Sequence, residues 1–187
     1  MGAAAKTVAQ GGKAAGGARL SRLAPKADEL AESVRAELGG EWLPVLYREQ
    51  VKTLRTRSFQ LPAAPKNLSD VEVQHTLLGV ELKIGRRRVS CPDLATARYL
   101  AVFARAGCNE VAVPYDITKI SRLADLLERA WQRTMLLADH LASGRAQAFR
   151  TRLKKFIVSL AREEIEALGA GAAVPAFNQN TKQRRRA

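Results

Sequence analysis

Two different periods of apolar residues run along this chain. Leu30, Val34 and Leu38 recur at fourth positions, the spacing of one helical face, and Gly39-Gly40 ends the helix they predict. A second helix is expected over about 42–58, with Leu43, Leu46, Val51 and Leu54 inward and Pro44 in its first turn. Its far end is basic, with Arg48, Lys52, Arg55 and Arg57. Pro62 and Pro65 then break the chain, and from Ser69 the period becomes two. Val71 and Val73 alternate with Asp70, Glu72 and Gln74, and after Gly79 the residues Val80, Leu82 and Ile84 alternate with Glu81 and Lys83. That pattern predicts two half-buried strands, a turn at Gly85-Arg86 and a further short extended piece over 87–91.

Pro92-Asp93 is a helix start, and the helix it opens should run to Arg105 and stop at Gly107. Val111-Ala112-Val113 reads as a short buried strand. The spacing between the preceding extended piece and this strand is enough for a right-handed parallel crossover through the helix. Two long helices follow. The first, over about 118–142, has Ile120, Leu123, Leu127, Trp131, Met135, Ala138 and Leu141 on one stripe. Ser143-Gly144 breaks it, and the second, over 145–168, carries Phe149, Leu153, Phe156, Ile157 and Leu160. Two apolar stripes across a short break predict an antiparallel helical hairpin. The fold class expected is α+β: one domain over 25–169 with a small mixed β-sheet, packed helices and a C-terminal antiparallel helical hairpin. Low-complexity residues 1–24 and 170–187 should be flexible basic arms.

Composition narrows the class. Hydrophobic residues are 47% of the chain and aromatics 5%, so the core must be mainly Leu, Val, Ile and Ala. No apolar run approaches the roughly 20 residues that span a bilayer, and the start has no apolar signal region. A cytoplasmic protein without a membrane partner is expected. An organelle transit peptide over 1–24 is the minority reading, set against the Gly-rich, nearly Ser-free composition. Cys91 and Cys108 are the only cysteines and read as free, buried thiols of a reducing compartment. Together with His75 and His140 they match no zinc-ligand spacing. No glycine loop of the phosphate-cradling kind follows a strand.

Charge is the strongest signal. Lys and Arg total 31 against 18 Asp and Glu, a net +13, and a polyanion is the usual partner of such an excess. An acidic protein or an anionic membrane surface is the alternative. Arg145, Arg152, Lys155 and Arg162 fall within one sector of the last helix, and Arg86, Arg87 and Arg88 stand at a turn beside Lys83. Lys182, Arg184, Arg185 and Arg186 form the basic end. Guanidinium forks match phosphate, so these are the candidate nucleic-acid contacts, to DNA or RNA, and binding of this kind requires no cofactor. The few aromatics argue against base stacking as the main mode. Exposed Tyr115, just past the buried strand, is a further candidate without independent support.

One constellation suggests catalysis. Glu81 and Lys83 lie two apart on one strand and share a face, and Asp70 opens the preceding strand. Two carboxylates on adjacent strands are hard oxygen ligands for Mg²⁺, which would activate a water for attack on a phosphodiester, with Lys83 steadying the transition state. Residues 42–116 resemble the PD-(D/E)xK nuclease superfamily in the style of archaeal Holliday-junction resolvases, with Ser69 where the family has proline. The resemblance implies a Mg²⁺-dependent nuclease in which Asp70 and Glu81 are metal ligands and Lys83 the catalytic lysine. Three functions therefore stand open: nucleic-acid binding, alone or as a subunit of a nucleoprotein complex; a metal-dependent nuclease; and an interaction subunit whose C-terminal helical hairpin docks a protein partner.

Overall fold

The computed structural model describes residues 26–63 and 70–172. In chain order the elements are α1 (Ala27–Leu38), a 3₁₀ turn (Gly39–Glu41), α2 (Leu43–Leu46, continuing as a π-helical stretch Tyr47–Val51), β1 (Thr56–Gln60), β2 (Val71–Thr76), β3 (Gly79–Ile84), β4 (Arg87–Cys91), α3 (Leu94–Ala106), β5 (Glu110–Pro114), α4 (Ile117–Leu141) and α5 (Gln147–Leu168). The fold is α+β. Its strands form two antiparallel sheets rather than one mixed sheet: a meander β2-β3-β4 and a two-stranded β1-β5.

The alternation over 71–91 has a direct structural reason. Val71, Leu82, Ile84 and Cys91 are buried on one face of the meander, with Val73, Val80 and Val89 packed beside them, and that face lies on α3. Helix α3 is almost wholly internal, with Tyr99 through Ala104 buried without interruption. Asp93 caps it, accepting the Thr96 backbone N–H at 2.7 Å, and Gly107 closes it at φ 79°.

Two expectations about single elements are corrected. The helix expected over 42–58 stops at Val51, and Thr56–Gln60 is a strand. Lys52 donates its backbone N–H five residues back to Tyr47, widening the last turn before the chain straightens. The parallel crossover does not form either: β5 pairs antiparallel with β1, with Ser58 opposite Ala112. Its other edge is occupied by side chains. The Tyr47 hydroxyl accepts the Ala112 N–H at 2.9 Å, and the Tyr99 hydroxyl donates to the Ala112 carbonyl at 2.6 Å. A buried strand edge needs its polar groups satisfied, and here two tyrosines do what a neighbouring strand would do.

The free edge of β1 is covered by the chain after α5. Ser58 donates to the Ala172 carbonyl at 2.8 Å and Ala172 donates back to Thr56 at 3.1 Å. Lys52 Nζ and Tyr47 Oη also donate to the Gly169 carbonyl. Residues 170–172 are thus fastened to β1, which corrects a free tail beginning at 170. Residues 1–25 and 173–187, which include the arms expected to be flexible, lie outside the described residues.

A second core lies between helices. Leu30, Ala31, Val34, Trp42, Ala138, Leu153, Ile157 and Ala161 pack α1, α4 and α5 together. Lys154 of α5 meets Asp139 of α4 at 2.8 Å across the connection, as an antiparallel pair requires. Helix α5 starts at Gln147, so Arg145 belongs to the connecting turn, where Gly144 adopts φ 75°. Among the described residues no helix is long and apolar enough to cross a membrane.

Candidate nucleic-acid interface

Cations crowd the turn before α5 and the first half of that helix. Arg145, Arg150, Arg152, Lys154 and Lys155 occupy eleven consecutive positions that hold no acid, whereas Glu163, Glu164 and Glu166 gather at the opposite end. This order runs against the helix dipole, whose N-terminal end is already positive; misplaced charges of this kind cost about 0.3–1 kcal/mol each when exposed. Helix stability therefore does not explain them. Their sum with the dipole makes the start of α5 attractive to anions.

The five differ in what they are free to do. Lys154 is engaged by Asp139. Arg150 is half-buried, and its Nε has no hydrogen-bond partner among the described residues. Arg145, Arg152 and Lys155 have no carboxylate partner there. Arg145 lies 5.2 Å from the centre of the Phe149 ring and Arg152 5.7 Å from that of Phe156. Each pair is four residues apart, and the second repeats the first after seven residues. Within α5, Phe149 and Phe156 are seven residues apart, a rise of about 10.5 Å that returns to nearly the same face. A guanidinium attracted to a ring face in this way is steadied without a carboxylate and keeps N–H groups available for phosphate oxygens. The repeated Arg-x-x-x-Phe spacing is the signal that a sequence reading of Phe149 and Phe156 as core alone passes over. Arg162, further along, is half-buried and reaches Ser159 Oγ at 3.4 Å.

The turn between β3 and β4 presents a second cationic group. Arg86 and Arg87 are exposed and have no carboxylate partner among the described residues, whereas Arg88 contacts Glu81 at 3.4 Å. Arg55, at the start of β1, lies 5.3 Å from the ring of Tyr115, which is 45% exposed. Lys182, Arg184, Arg185 and Arg186 lie outside the described residues. All 18 acids fall within the described residues, but Lys6, Lys13, Arg19, Arg22, Lys66 and the four basic residues of the end do not, so the described part holds 22 of the 31 cations.

The proposed metal dyad is not brought together. Strand register sets Gln74, not Asp70, opposite Glu81. The Asp70 backbone carbonyl accepts from the N–H of Gly85, just past the end of β3 and four residues beyond Glu81, a separation of about 14 Å at ~3.4 Å per residue. Two carboxylates so placed do not fit a shared Mg²⁺. Glu81 and Lys83 do share a face, the solvent face of the meander, where Lys83 Nζ meets Glu72 at 3.3 Å as Glu81 meets Arg88. Cross-strand pairing of opposite charges stabilises the sheet at that face. Among the described residues no group of three or more His, Cys, Asp or Glu side chains is placed to hold a metal. Cys91 and Cys108 are buried, and burial pushes the Cys108 thiol up to about 12, far from a thiolate at neutral pH. The apolar stripe of the helical hairpin is taken up by packing on α3 and the strands in one core and on α1 in the other, leaving Ile117, Leu136 and part of Phe156 at the surface. No protein-family model, curated protein or solved structure matches this chain.

Proposed function

We propose that this protein binds nucleic acid by phosphate contacts, with the first half of α5 as the principal surface. The observation that carries the reading is the pair of arginines held over aromatic rings, Arg145 and Arg152, beside Lys155, which has no carboxylate partner among the described residues, toward the positive end of the helix dipole. Arg86 and Arg87 at the β3–β4 turn supply further contacts. None of these groups reads base identity by itself, so binding is sequence-tolerant and weakens steeply with salt.

The test is fluorescence anisotropy with duplex DNA and duplex RNA over a series of salt concentrations. Replacing Arg145, Arg152 and Lys155 together by alanine, a good helix former, leaves α5 intact. Removing one cation from a DNA phosphate lowers the slope of log affinity against log salt by about 0.9, so a drop of roughly 2–3 is expected. Arg133→Ala, which removes a cation already paired with Glu41, should leave the slope unchanged. Equal affinity and slope in the triple variant and the parent would remove α5 as the binding surface.

A further inference from the structure

Next to that surface, α5 runs beside α1 and the two helices enclose an open groove of about 520 Å³. Phe156 and Leu160 form its apolar floor, and Asp28, Glu29, Glu32 and Glu163 line it, with no cation among the lining side chains. Glu32 shares Arg35 at 3.3 Å, but Asp28, Glu29 and Glu163 have no ion-pair partner among the described residues. Phe156 remains 36% exposed within it. An apolar floor between carboxylates suits a segment that alternates basic and apolar residues.

The chain supplies such a segment in the residues that directly precede α1. Asp28 and Glu29 lie in the first turn of α1, directly after Lys26, through which residues 1–25 join the helix. Those residues contain Lys6, Lys13, Arg19 and Arg22 and no acid, with Leu20 and Leu23 interleaved with the two arginines. Arg22 is four residues from Lys26, a reach of up to about 14 Å for extended chain. A tether this short keeps the segment at an effective concentration in the millimolar range, so weak contacts suffice for occupancy.

We propose that this groove is the docking site for the chain's own basic N-terminal segment, residues 19–25, with Arg19 and Arg22 against the carboxylates and Leu20 and Leu23 over Phe156 and Leu160. The proposal does not depend on nucleic-acid binding. It implies that α5 carries an anion-attracting surface and a cation-holding groove that border each other at Phe156, whose ring also lies under Arg152.

The experiment uses the full chain with Ala18→Cys carrying a nitroxide label, the two native thiols being buried. In ¹⁵N-labelled protein, amides of 28–32 and 156–163 should be broadened, equally after tenfold dilution. Arg19→Glu with Arg22→Glu should abolish the broadening, as should Glu32→Lys with Glu163→Lys. All four changes combined should restore it, because the charges are then exchanged across the same interface. Glu163→Lys alone, which leaves the Arg35 pair in place, should weaken it. Thermal unfolding of each variant checks that the fold persists. Absence of broadening at the groove in the parent, failure of the exchanged variant to recover it, or broadening seen only in mixtures of spin-labelled and ¹⁵N-labelled chains would overturn the proposal.

Discussion

Ala112 shows how single atoms decide the topology. Its N–H and C=O both point away from β1 into the interior, where no strand lies and no water is needed, because Tyr47 and Tyr99 satisfy them. Both rings also pack on Phe103, with centroids 5.3 and 5.1 Å away. Tyr99→Phe would keep that packing and leave the Ala112 carbonyl unpaired, at a cost of about 1–3 kcal/mol. Tyr47→Phe strands the Ala112 N–H and releases Gly169, so it should cost at least as much, and chemical denaturation measures both. The hydroxyls also set an alkaline limit. Burial pushes Tyr47 up to about 12 and Tyr99 well above its ordinary value, so the folded state holds both phenolic protons more tightly than the unfolded chain. Their stabilisation is complete below about pH 10, where unfolded tyrosine titrates, and drains away as pH climbs toward the folded values. Denaturation midpoints should fall between pH 10 and 12, and less steeply in Tyr47→Phe. Neither tyrosine stands out in the sequence, because the group each one satisfies lies on a different element, 65 residues on for Tyr47 and 13 for Tyr99.

Among the elements, the meander is legible in the sequence because one of its faces is buried and the other is not. The register within it is not legible. Period two places Glu81 and Lys83 on a common face, but only pairing shows that Gln74 and Glu72 stand opposite them and that Asp70 lies at the far end. Strand β1 is hidden for the opposite reason: Thr56 is buried, Arg57, Ser58 and Phe59 are all half-buried, and no alternation survives. Helices α4 and α5 are readable from their stripes, since each keeps one continuous face against a core. The β2–β3 connection is the least expected local structure. Leu77 and Leu78 form the two-residue turn, fully exposed at 106% and 93%, and Gly79 follows at φ 124°. Two-residue hairpins favour turns with positive φ at the first or at both central positions, which leucine disfavours and Asn-Gly adopts readily. Neither leucine has positive φ here, so the turn works against the twist of its strands. Replacing Leu77-Leu78 by Asn-Gly should therefore hold or raise the melting temperature, despite changing two large residues. A fall of several degrees would show that the leucines stabilise the folded chain through contacts made elsewhere.

For the molecule as a whole, the question is whether its two cores behave as one. The sheet-and-helix core and the three-helix core have few side chains in common, yet α4 and α5 each run through both. Along α4, Ile120 to Trp131 serve the first and Ala138 and Ala142 the second; along α5, Leu153, Ile157 and Ala161 serve the second and Ile165 the first. A helix cannot melt at one end and keep full strength at the other without exposing the apolar stripe between, so loss of either core removes support from the other. The two tryptophans report on this separately, Trp42 in the helical core and Trp131 in the other. Trp42→Phe and Trp131→Phe each leave a single emitter, and their fluorescence transitions should coincide with each other and with loss of helical circular dichroism. Leu153 is fully buried in the helical core, and Leu153→Ala should destabilise by about 2–5 kcal/mol. Although Leu153 touches only one of the two cores, that variant should shift both tryptophan transitions by the same amount. A shift confined to Trp42 would mean that α1, the far end of α4 and the start of α5 form a separable unit, and that the cationic half of α5 can loosen while the sheets stay folded.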